Sequence, residues 1–182
     1  VVAVLLEKLS KKDISLKATL KELADKPNST LMILDGITDP HNLGAIIRTC
    51  DCFGVDAIII PKDNSANVNA TVAKVSSGAI NNVPVIVVNN LACTLEEIKE
   101  FDYWIAGTTL GERSVSLFEF KSDKRMAWVM GSEGEGIRRL VAENCDYLVS
   151  IPMYGNTQSL NVSVAAGVVL SYAKYHTQRK PK

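Results

Sequence analysis

The order of apolar segments constrains the fold of this chain more than any other feature of its sequence. Short apolar runs recur between residues 31 and 151, and segments with a helical spacing of apolar positions separate them. Strands that are apolar on both faces and alternate with helices are typical of a parallel sheet covered on each side. The pattern therefore predicts an α/β fold with six strands: Leu31–Leu34, Ala57–Ile60, Val83–Val88, Tyr103–Gly107, Met126–Met130 and Tyr147–Ile151.

Helices fill the intervals between the predicted strands. The spacing predicts a last helix from about Leu160 to His176, apolar nearly all round and therefore buried in the domain or against a second subunit. The first 30 residues predict a short strand, Val1–Leu6, and a helix up to about Ala24. Residues 110–124 form a long irregular connection, which is often functional in a compact domain. The remaining predicted helices are Asn42–Cys52, Asn69–Ser77, Thr94–Phe101 and Ile137–Asn144.

Bulk composition excludes several classes of protein. The chain has 182 residues, with 20 Lys+Arg against 20 Asp+Glu, so any RNA surface must be a local patch. Four cysteines with one C-x-C pair, and two histidines, are too few for a zinc site, so we expect no metal. No run of about 20 apolar residues predicts a membrane span. Cysteines flanked mainly by apolar residues are typical of a reducing cytoplasm.

The first polar segment follows the predicted strand Leu31–Leu34. Asp39 and Pro40 predict a turn, and Asn42 lies near the start of the next helix. These features have an ordinary structural explanation. Arg48 does not, because it lies on a mainly apolar helix, although a single Arg there is usually a surface residue whose aliphatic stem covers apolar atoms.

Two further polar segments follow later strands. Residues 131–136 contain three glycines, but their order is G-x-x-G-x-G and the next strand ends without an acidic residue, so a dinucleotide fingerprint is absent. Glycines here indicate close approach of the backbone to a ligand, or a plain flexible loop. Residues 151–163 contain Pro152 and Gly155, and Ser159 is the predicted N-cap of the last helix. Loops after neighbouring parallel strands form a ligand crevice.

Together the three segments closely resemble the three motifs of the SpoU (TrmH-like) family of RNA ribose 2′-O-methyltransferases, in the SPOUT class. The resemblance covers about residues 31–173, and flanking residues 61–66 and 74–79 are most similar to the branch that modifies a guanosine of large-subunit (23S) ribosomal RNA. The matching motifs are Asp39–Gly44 with Arg48–Thr49, then Gly131–Gly134, then Ile151–Met153 with Ser159–Ala165.

The resemblance implies a fold and a reaction that periodicity does not show. The implied fold is the α/β-knot, with a deep C-terminal trefoil, although knots are otherwise nearly absent from proteins. The implied methyl donor is S-adenosylmethionine, and family members are homodimers, here through the last helix. The implied domains are residues 1–30, a linker and helix after a missing RNA-binding domain, and residues 31–182, the catalytic domain. The implied donor-binding residues are Gly107, Thr108, Gly131, Ile151, Met153 and Leu160.

The resemblance also implies which residues act on the RNA ribose. We interpret Arg48 as a cation that fixes an RNA phosphate and stabilises the developing alkoxide, because removing a proton from a free Arg at neutral pH costs roughly 7 kcal/mol. Glu133 is expected to orient Arg48 or a group of a partner subunit. Asn42, Ser159 and Asn161 are expected to hold loops and substrate by hydrogen bonds.

Three alternatives differ from this interpretation. One is a tRNA ribose 2′-O-methyltransferase. Another is a non-catalytic knotted RNA-binding protein, which the joint presence of the five candidate catalytic residues disfavours. The third is a dinucleotide-dependent dehydrogenase, which the missing acidic residue disfavours.

Overall fold

A single parallel sheet with helices on both faces forms the protein. The computed structural model describes residues 14–111 and 114–178. Seven strands lie in the order β3-β2-β1-β6-β4-β7-β5, and every adjacent pair is parallel. The α/β class is confirmed. The strands are β1 (Ser29–Asp35), β2 (Ala57–Pro61), β3 (Val85–Val88), β4 (Trp104–Thr108), β5 (Val115–Ser116), β6 (Arg125–Gly131) and β7 (Tyr147–Ser150).

The helices follow the predicted order along the chain. A short 3₁₀ turn, Ala79–Asn81, follows the third helix. The predicted strand Val1–Leu6 lies outside the described residues. The α-helices are α1 (Leu16–Leu23), α2 (Pro40–Cys52), α3 (Ala70–Val75), α4 (Leu91–Lys99), α5 (Arg139–Glu143) and α6 (Val162–Gln178).

The prediction of six strands is wrong, because the sheet has seven. The additional strand, β5, comprises two residues in the connection that we expected to be irregular, and it pairs with β7 at the edge of the sheet. Two residues are too short to produce a recognisable alternation of apolar and polar positions. Residues 115–116 form a strand because they pair with β7, which is distant in sequence.

Alternate residues of the central strands supply two separate cores. All seven residues of β1 are buried. Met32 and Leu34 pack on the face covered by α2, α3 and α6, whereas Leu31 and Ile33 pack on the face covered by α1, α4 and α5. This two-residue alternation explains why a strand buried on both faces is apolar throughout. Helix α1 belongs to the same core as the sheet, through its buried residues Leu16, Leu20 and Leu23.

Helix α6 is buried along one side only. Its buried residues pack on β6 and on α2, where Gly167 faces the Thr49 methyl group. On the other side Val164 is 52% exposed and Tyr175 is 57% exposed. The expectation of burial inside the domain is therefore half right. Val164 is therefore an exposed apolar side chain on the outer side of this helix.

The carboxyl ends of the strands lie at one edge of the sheet because all seven strands are parallel. The connections that leave this edge are residues 36–39 after β1, 132–138 after β6 and 151–161 after β7. Helix α2 begins at Pro40, two residues before the predicted start at Asn42, because the Asp39 side chain accepts a hydrogen bond from the His41 backbone N–H at 2.9 Å and Pro40 occupies the first turn. The three segments singled out in the sequence therefore meet at one edge.

Candidate functional site

Three predicted residues form a hydrogen-bonded cluster at the carboxyl edge of the sheet. The Asn161 side-chain amide donates to Asn42 Oδ1 at 3.0 Å and to Glu133 Oε1 at 2.5 Å. The Asn42 amide donates to the same Glu133 oxygen at 3.4 Å, and the Val162 backbone N–H donates to it at 3.3 Å. One carboxylate thus joins α2, the loop after β6 and the first turn of α6.

The N-cap of α6 is Asn161. Its Oδ1 accepts hydrogen bonds from the Ser163 backbone N–H at 2.9 Å and from the Ser163 hydroxyl. The predicted cap at Ser159 is wrong, because the helix begins three residues later, at Val162. Ser159 is exposed and makes no hydrogen bond to the cluster among the described contacts. Asn161, two residues after the predicted cap, is also of a residue type that caps helices, and the path of the loop places it at the start of α6.

Glu133 also stabilises the start of α6 electrostatically. Its carboxylate lies at the first backbone N–H groups of the helix, where negative charge is favourable. The expectation was that Glu133 orients Arg48 or a group of a partner subunit, and no ion pair joins Glu133 to Arg48 among the described residues. Within the chain described here its hydrogen-bond partners are Asn42, Asn161 and the α6 backbone.

The loop that carries Glu133 is closed on itself. Ser132 and Gly136 exchange two backbone hydrogen bonds of 3.1 and 3.0 Å, and Gly134 and Gly136 have φ angles of +89° and +69°. At Gly131 a Cβ atom would lie 2.1 Å from the Gly136 carbonyl carbon and 2.2 Å from the Ile137 nitrogen. Gly131 is therefore required by the packing of its own loop, whatever else it contacts.

A buried ion pair that sequence reasoning did not find holds the far end of this loop. Asp35, the last residue of β1, is 1% exposed. Its Oδ2 accepts a hydrogen bond from the Arg138 backbone N–H at 2.8 Å, and its Oδ1 accepts one from Arg138 Nε at 2.6 Å. The only sequence signal is an Asp that ends an otherwise apolar strand, 103 positions before its partner.

Arg48 lies on α2 and is exposed. Among the described residues, no ion pair joins it to Glu133 or to another carboxylate. The structure thus brings Asn42, Glu133 and Asn161 together and leaves Arg48 and Ser159 outside their hydrogen-bond network. A guanidinium that is exposed and not held by a carboxylate is available to an anionic partner.

The residues predicted to hold the donor divide into two groups. Gly107 is buried, and a Cβ there would lie 2.7 Å from Ile137 Cδ1 and 2.8 Å from Cys145 Sγ, so this glycine permits close packing. The Thr108 hydroxyl donates to the Val129 carbonyl at 3.0 Å. The residues of the second group are half-buried in the segment after β7: Ile151, Met153 and Leu160.

The Cys145 thiol, which packs against Gly107, is held in its protonated form. Burial, and to a smaller extent the nearby Asp146 carboxylate, raises the pKa of the Cys145 thiol to about 12, and its Sγ donates to the Val141 carbonyl at 3.3 Å. A thiol with this pKa stays protonated at neutral pH, whereas nucleophilic attack requires the thiolate. Cys145 is therefore not among the candidate catalytic residues.

The described residues show neither a metal-binding group nor a helix that could span a membrane. Within residues 14–111 and 114–178, no three His, Cys, Asp or Glu side chains are grouped so that they would hold a metal ion. Among the helices in those ranges, none combines the length and the apolar character needed to cross a bilayer.

An apolar groove runs along the outer side of α6. It has a volume of about 550 Å³. Its aromatic residues include Phe118, which packs edge-to-face on Tyr172 with a ring-centroid distance of 5.8 Å. The groove is lined by Phe118, Val164, Gly167, Val168, Ser171, Tyr172 and Tyr175.

The parallel sheet and the polar loops at its carboxyl edge define an open α/β protein with a ligand crevice at that edge. The chain belongs to the SpoU rRNA Methylase family, whose model matches residues 29–171. It is 55% identical over 162 residues to the 23S rRNA (guanosine-2′-O-)-methyltransferase RlmB of Neisseria meningitidis serogroup B, covering 89% of this chain and 64% of that protein. It is 56% identical over 140 residues to RlmB of Escherichia coli K12, covering 77% of this chain and 57% of that protein.

Solved structures show the same fold. The SpoU methyltransferase AviRb from Streptomyces viridochromogenes, in complex with the cofactor AdoMet, matches with a TM-score of 0.77 at 26% identity, covering 86% of this chain and 63% of that chain. The A. aeolicus TrmH/SpoU tRNA modifying enzyme matches with a TM-score of 0.75 at 32% identity, covering 88% and 83%. The chain spans about three fifths of the length of the curated relatives that it matches.

Proposed function

We propose that this protein transfers a methyl group from S-adenosylmethionine to the ribose 2′-hydroxyl of a guanosine in 23S ribosomal RNA. The observation that carries the proposal is the convergence of the three motifs of the family on one cluster, Asn42, Glu133 and Asn161, at the carboxyl edge of the sheet. The two RlmB relatives, each more than half identical, support the 23S target. Ribosomal RNA as the substrate, as in these bacterial relatives, is the basis on which we also propose a cytoplasmic location.

The crevice suits a donor with neutral adenine and ribose groups and a cationic sulfur. No lysine occurs between residues 131 and 161, so the loops are not built for a polyphosphate. The half-buried side chains of Ile151, Met153 and Leu160 provide apolar surface for such a molecule. When bound, S-adenosylmethionine supplies an electrophilic methyl group and leaves as the neutral thioether.

The residues of this chain orient the ribose and assist removal of the proton from its 2′-hydroxyl. The 2′-oxygen forms a bond to the methyl carbon while the carbon–sulfur bond breaks, and the hydroxyl proton passes to a base or to water. Positioning of the hydroxyl lowers the barrier because it converts an encounter into an oriented reaction. Arg48, exposed and without a carboxylate partner in the described chain, binds an RNA phosphate and stabilises the developing negative charge on the 2′-oxygen.

Glu133 and the two asparagines keep the crevice assembled. Their hydrogen bonds fix the loop after β6 against α2 and α6. Loops held in this way present the substrate-facing groups in one geometry, which is the requirement for a positioned reaction. Ser159 belongs to the loop after β7 and contacts the substrate from there.

Two finer structural proposals accompany the reaction. The apolar groove on α6 supports a homodimer, because a second copy would cover Phe118, Val164 and Tyr175. We also propose the trefoil knot that the family resemblance implies, in the segment where Asn161 lies against the loop of Glu133. The role of residues 1–30 as a linker and helix, and an RNA-binding domain before them, stay predictions.

Ligand binding and product analysis test the proposal separately. We expect thermal stabilisation of the protein by S-adenosylmethionine and S-adenosylhomocysteine but not by NAD, as binding to the native state requires. We then expect mass spectrometry to detect one 2′-O-methylguanosine in a 23S rRNA transcript incubated with protein and donor. Stabilisation by NAD alone would overturn the methyltransferase assignment.

A tRNA substrate is the second candidate function. The structural similarity to the A. aeolicus TrmH/SpoU tRNA modifying enzyme favours it. Methylation of a tRNA transcript, with no methylation of the 23S transcript under the same conditions, would replace the ribosomal assignment. Donor binding without methylation of either RNA would favour a non-catalytic RNA-binding protein.

A further inference from the structure

The buried pair formed by Asp35 and Arg138 lies between the two loops that supply the site. Asp35 ends β1 and is followed by the turn into α2, which carries Asn42. Arg138 ends the loop that carries Glu133. The Asp35 carboxylate accepts one hydrogen bond from the backbone N–H of Arg138 and one from its Nε. It therefore fixes both the backbone and the side chain of Arg138.

The two loops also pack directly against each other. A Cβ at Gly36 would lie 3.5 Å from the Ser132 Cβ. Asp35 and Gly131 are register partners in the β1–β6 pair, so the two loops leave the sheet side by side. The loop after β6 is therefore held at its beginning by the strand register, in its middle by the bonds between Ser132 and Gly136, and at its end by Asp35.

Burial makes this pair sensitive to substitution. The Asp35 side chain is fully buried, whereas the Arg138 side chain is 52% exposed. A buried carboxylate is tolerated only when its oxygens are hydrogen-bonded, so Asp35 depends on Arg138 more than Arg138 depends on Asp35. Among the described residues no hydrogen bond or ion pair joins Asp35 or Arg138 to Asn42, Glu133 or Asn161, so we expect an effect on the site to pass through the backbone of the loop.

We propose that Asp35, through Arg138, is a positioning residue that holds the Gly131–Ile137 loop in its donor-binding conformation. The inference rests on the proposed function, because it assumes that this loop contacts the methyl donor. It extends the site to two residues outside the three motifs. Loss of the pair releases the end of the loop while β6, the sheet and the helices stay in place.

The test compares two carboxylates of similar chemistry at opposite edges of the sheet. Asp56 accepts hydrogen bonds from Lys26 Nζ, the Ser29 hydroxyl and the Thr30 backbone N–H at 2.8 to 2.9 Å, at the amino edge. Calorimetry with S-adenosylmethionine and S-adenosylhomocysteine, and thermal unfolding, would be measured for the wild type, D35N and D56N.

We expect both variants to unfold at lower temperature than the wild type. D35N should also bind both ligands roughly tenfold more weakly, the scale of loss that follows displacement of a binding loop. D56N should bind them within twofold of the wild type. Equal affinities in D35N and D56N would overturn the proposal, because the pair would then contribute to stability alone.

A second variant separates loop position from charge. R138M keeps the backbone N–H bond to Asp35 but leaves its buried carboxylate without the guanidinium, so we expect it also to unfold at a lower temperature than the wild type. The affinities of R138M, R138K and D35N are therefore measured well below the Tm of each variant. Removal of a positive charge near a cationic sulfonium should strengthen binding, whereas release of the loop should weaken it. We expect R138M to weaken binding of both ligands, and R138K to restore part of the loss.

The outcomes also separate this inference from the proposed function. Stronger binding of S-adenosylmethionine by R138M, with weaker binding by D35N, would assign the effect to charge and overturn the positioning role. A wild-type protein that binds neither ligand would refute the proposed function, and the inference with it.

Discussion

Substitution of Gly131 by Ala tests the claim that the loop after β6 is required to pack on itself. The added Cβ would lie 2.1 Å from the Gly136 carbonyl carbon, 2.2 Å from the Ile137 nitrogen and 2.4 Å from the Gly136 oxygen. Ordinary contacts of a Cβ atom are longer than 3.0 Å. The loop backbone must therefore move by about 1 Å, which is larger than a packed backbone absorbs without loss of contacts.

The expected loss of stability follows from two contributions. Overpacking against a backbone costs about 1–3 kcal/mol. The movement also breaks the two Ser132–Gly136 hydrogen bonds, each contributing roughly 0.5–1.5 kcal/mol and less where water replaces the partner. We expect G131A to lower the free energy of unfolding by about 2–4 kcal/mol. For a chain of this length that corresponds to roughly 5–15 °C in Tm.

Urea denaturation followed by circular dichroism, at one protein concentration, measures this change. Gly155→Ala is the matched control, because Gly155 lies in the neighbouring loop and a Cβ there meets nothing within 4 Å. Neither position has a positive φ angle, so the comparison isolates packing. The control should stay within about 0.5 kcal/mol of the wild type. A similarly small effect of G131A would refute the reasoning.

Three further predictions concern catalysis, capping and pH. Arg48→Ala should abolish RNA methylation and leave S-adenosylmethionine affinity and Tm unchanged, since Arg48 is exposed; an active variant would remove its catalytic assignment. Asn161→Ala should lower the free energy of unfolding by about 1–3 kcal/mol, because it removes the cap and the hydrogen bonds to Asn42 and Glu133. The control S159A should change this free energy by less than about 0.5 kcal/mol. Equal effects of the two substitutions would contradict the assigned cap. The Cys145 thiol, with its pKa raised from 9.0 to about 12 in the folded state, contributes stability that is complete below pH 9 and declines by at most about 1.4 kcal/mol per pH unit up to pH 12. Urea unfolding at pH 8 and pH 10 should therefore show a smaller decline in C145A than in the wild type, and identical declines would contradict the raised pKa.

Sequence patterns predicted the layered architecture because local apolar periodicity reports burial. Strand β1 is apolar on both faces, and the structure buries all of its residues between two layers of helices. The same reasoning failed at β5, whose two residues carry no periodic signal. It was half right at α6, because periodicity detects an apolar side chain but not whether an element of the same chain covers it.

The site was predictable to the extent that its residues lie within contiguous motifs. Asn42, Glu133 and Asn161 were chosen from their motifs, and the fold brings them within hydrogen-bond distance. The pairing of Asp35 with Arg138 was not predictable, since a salt bridge across 103 positions has no local signature. The choice of Asn161 over Ser159 as the cap also depended on the path of the preceding loop.

The amino-acid sequence by itself determined the alternation of strands and helices, through the spacing of apolar residues, and the family and the candidate residues, through the resemblance of its three motifs. Tertiary structure alone decided the strand order, the seventh strand, the partners of Glu133 and the burial of Asp35. These properties depend on contacts between residues distant in sequence. These contacts stabilise the protein only after the parallel strands have brought the loops to the same edge of the sheet.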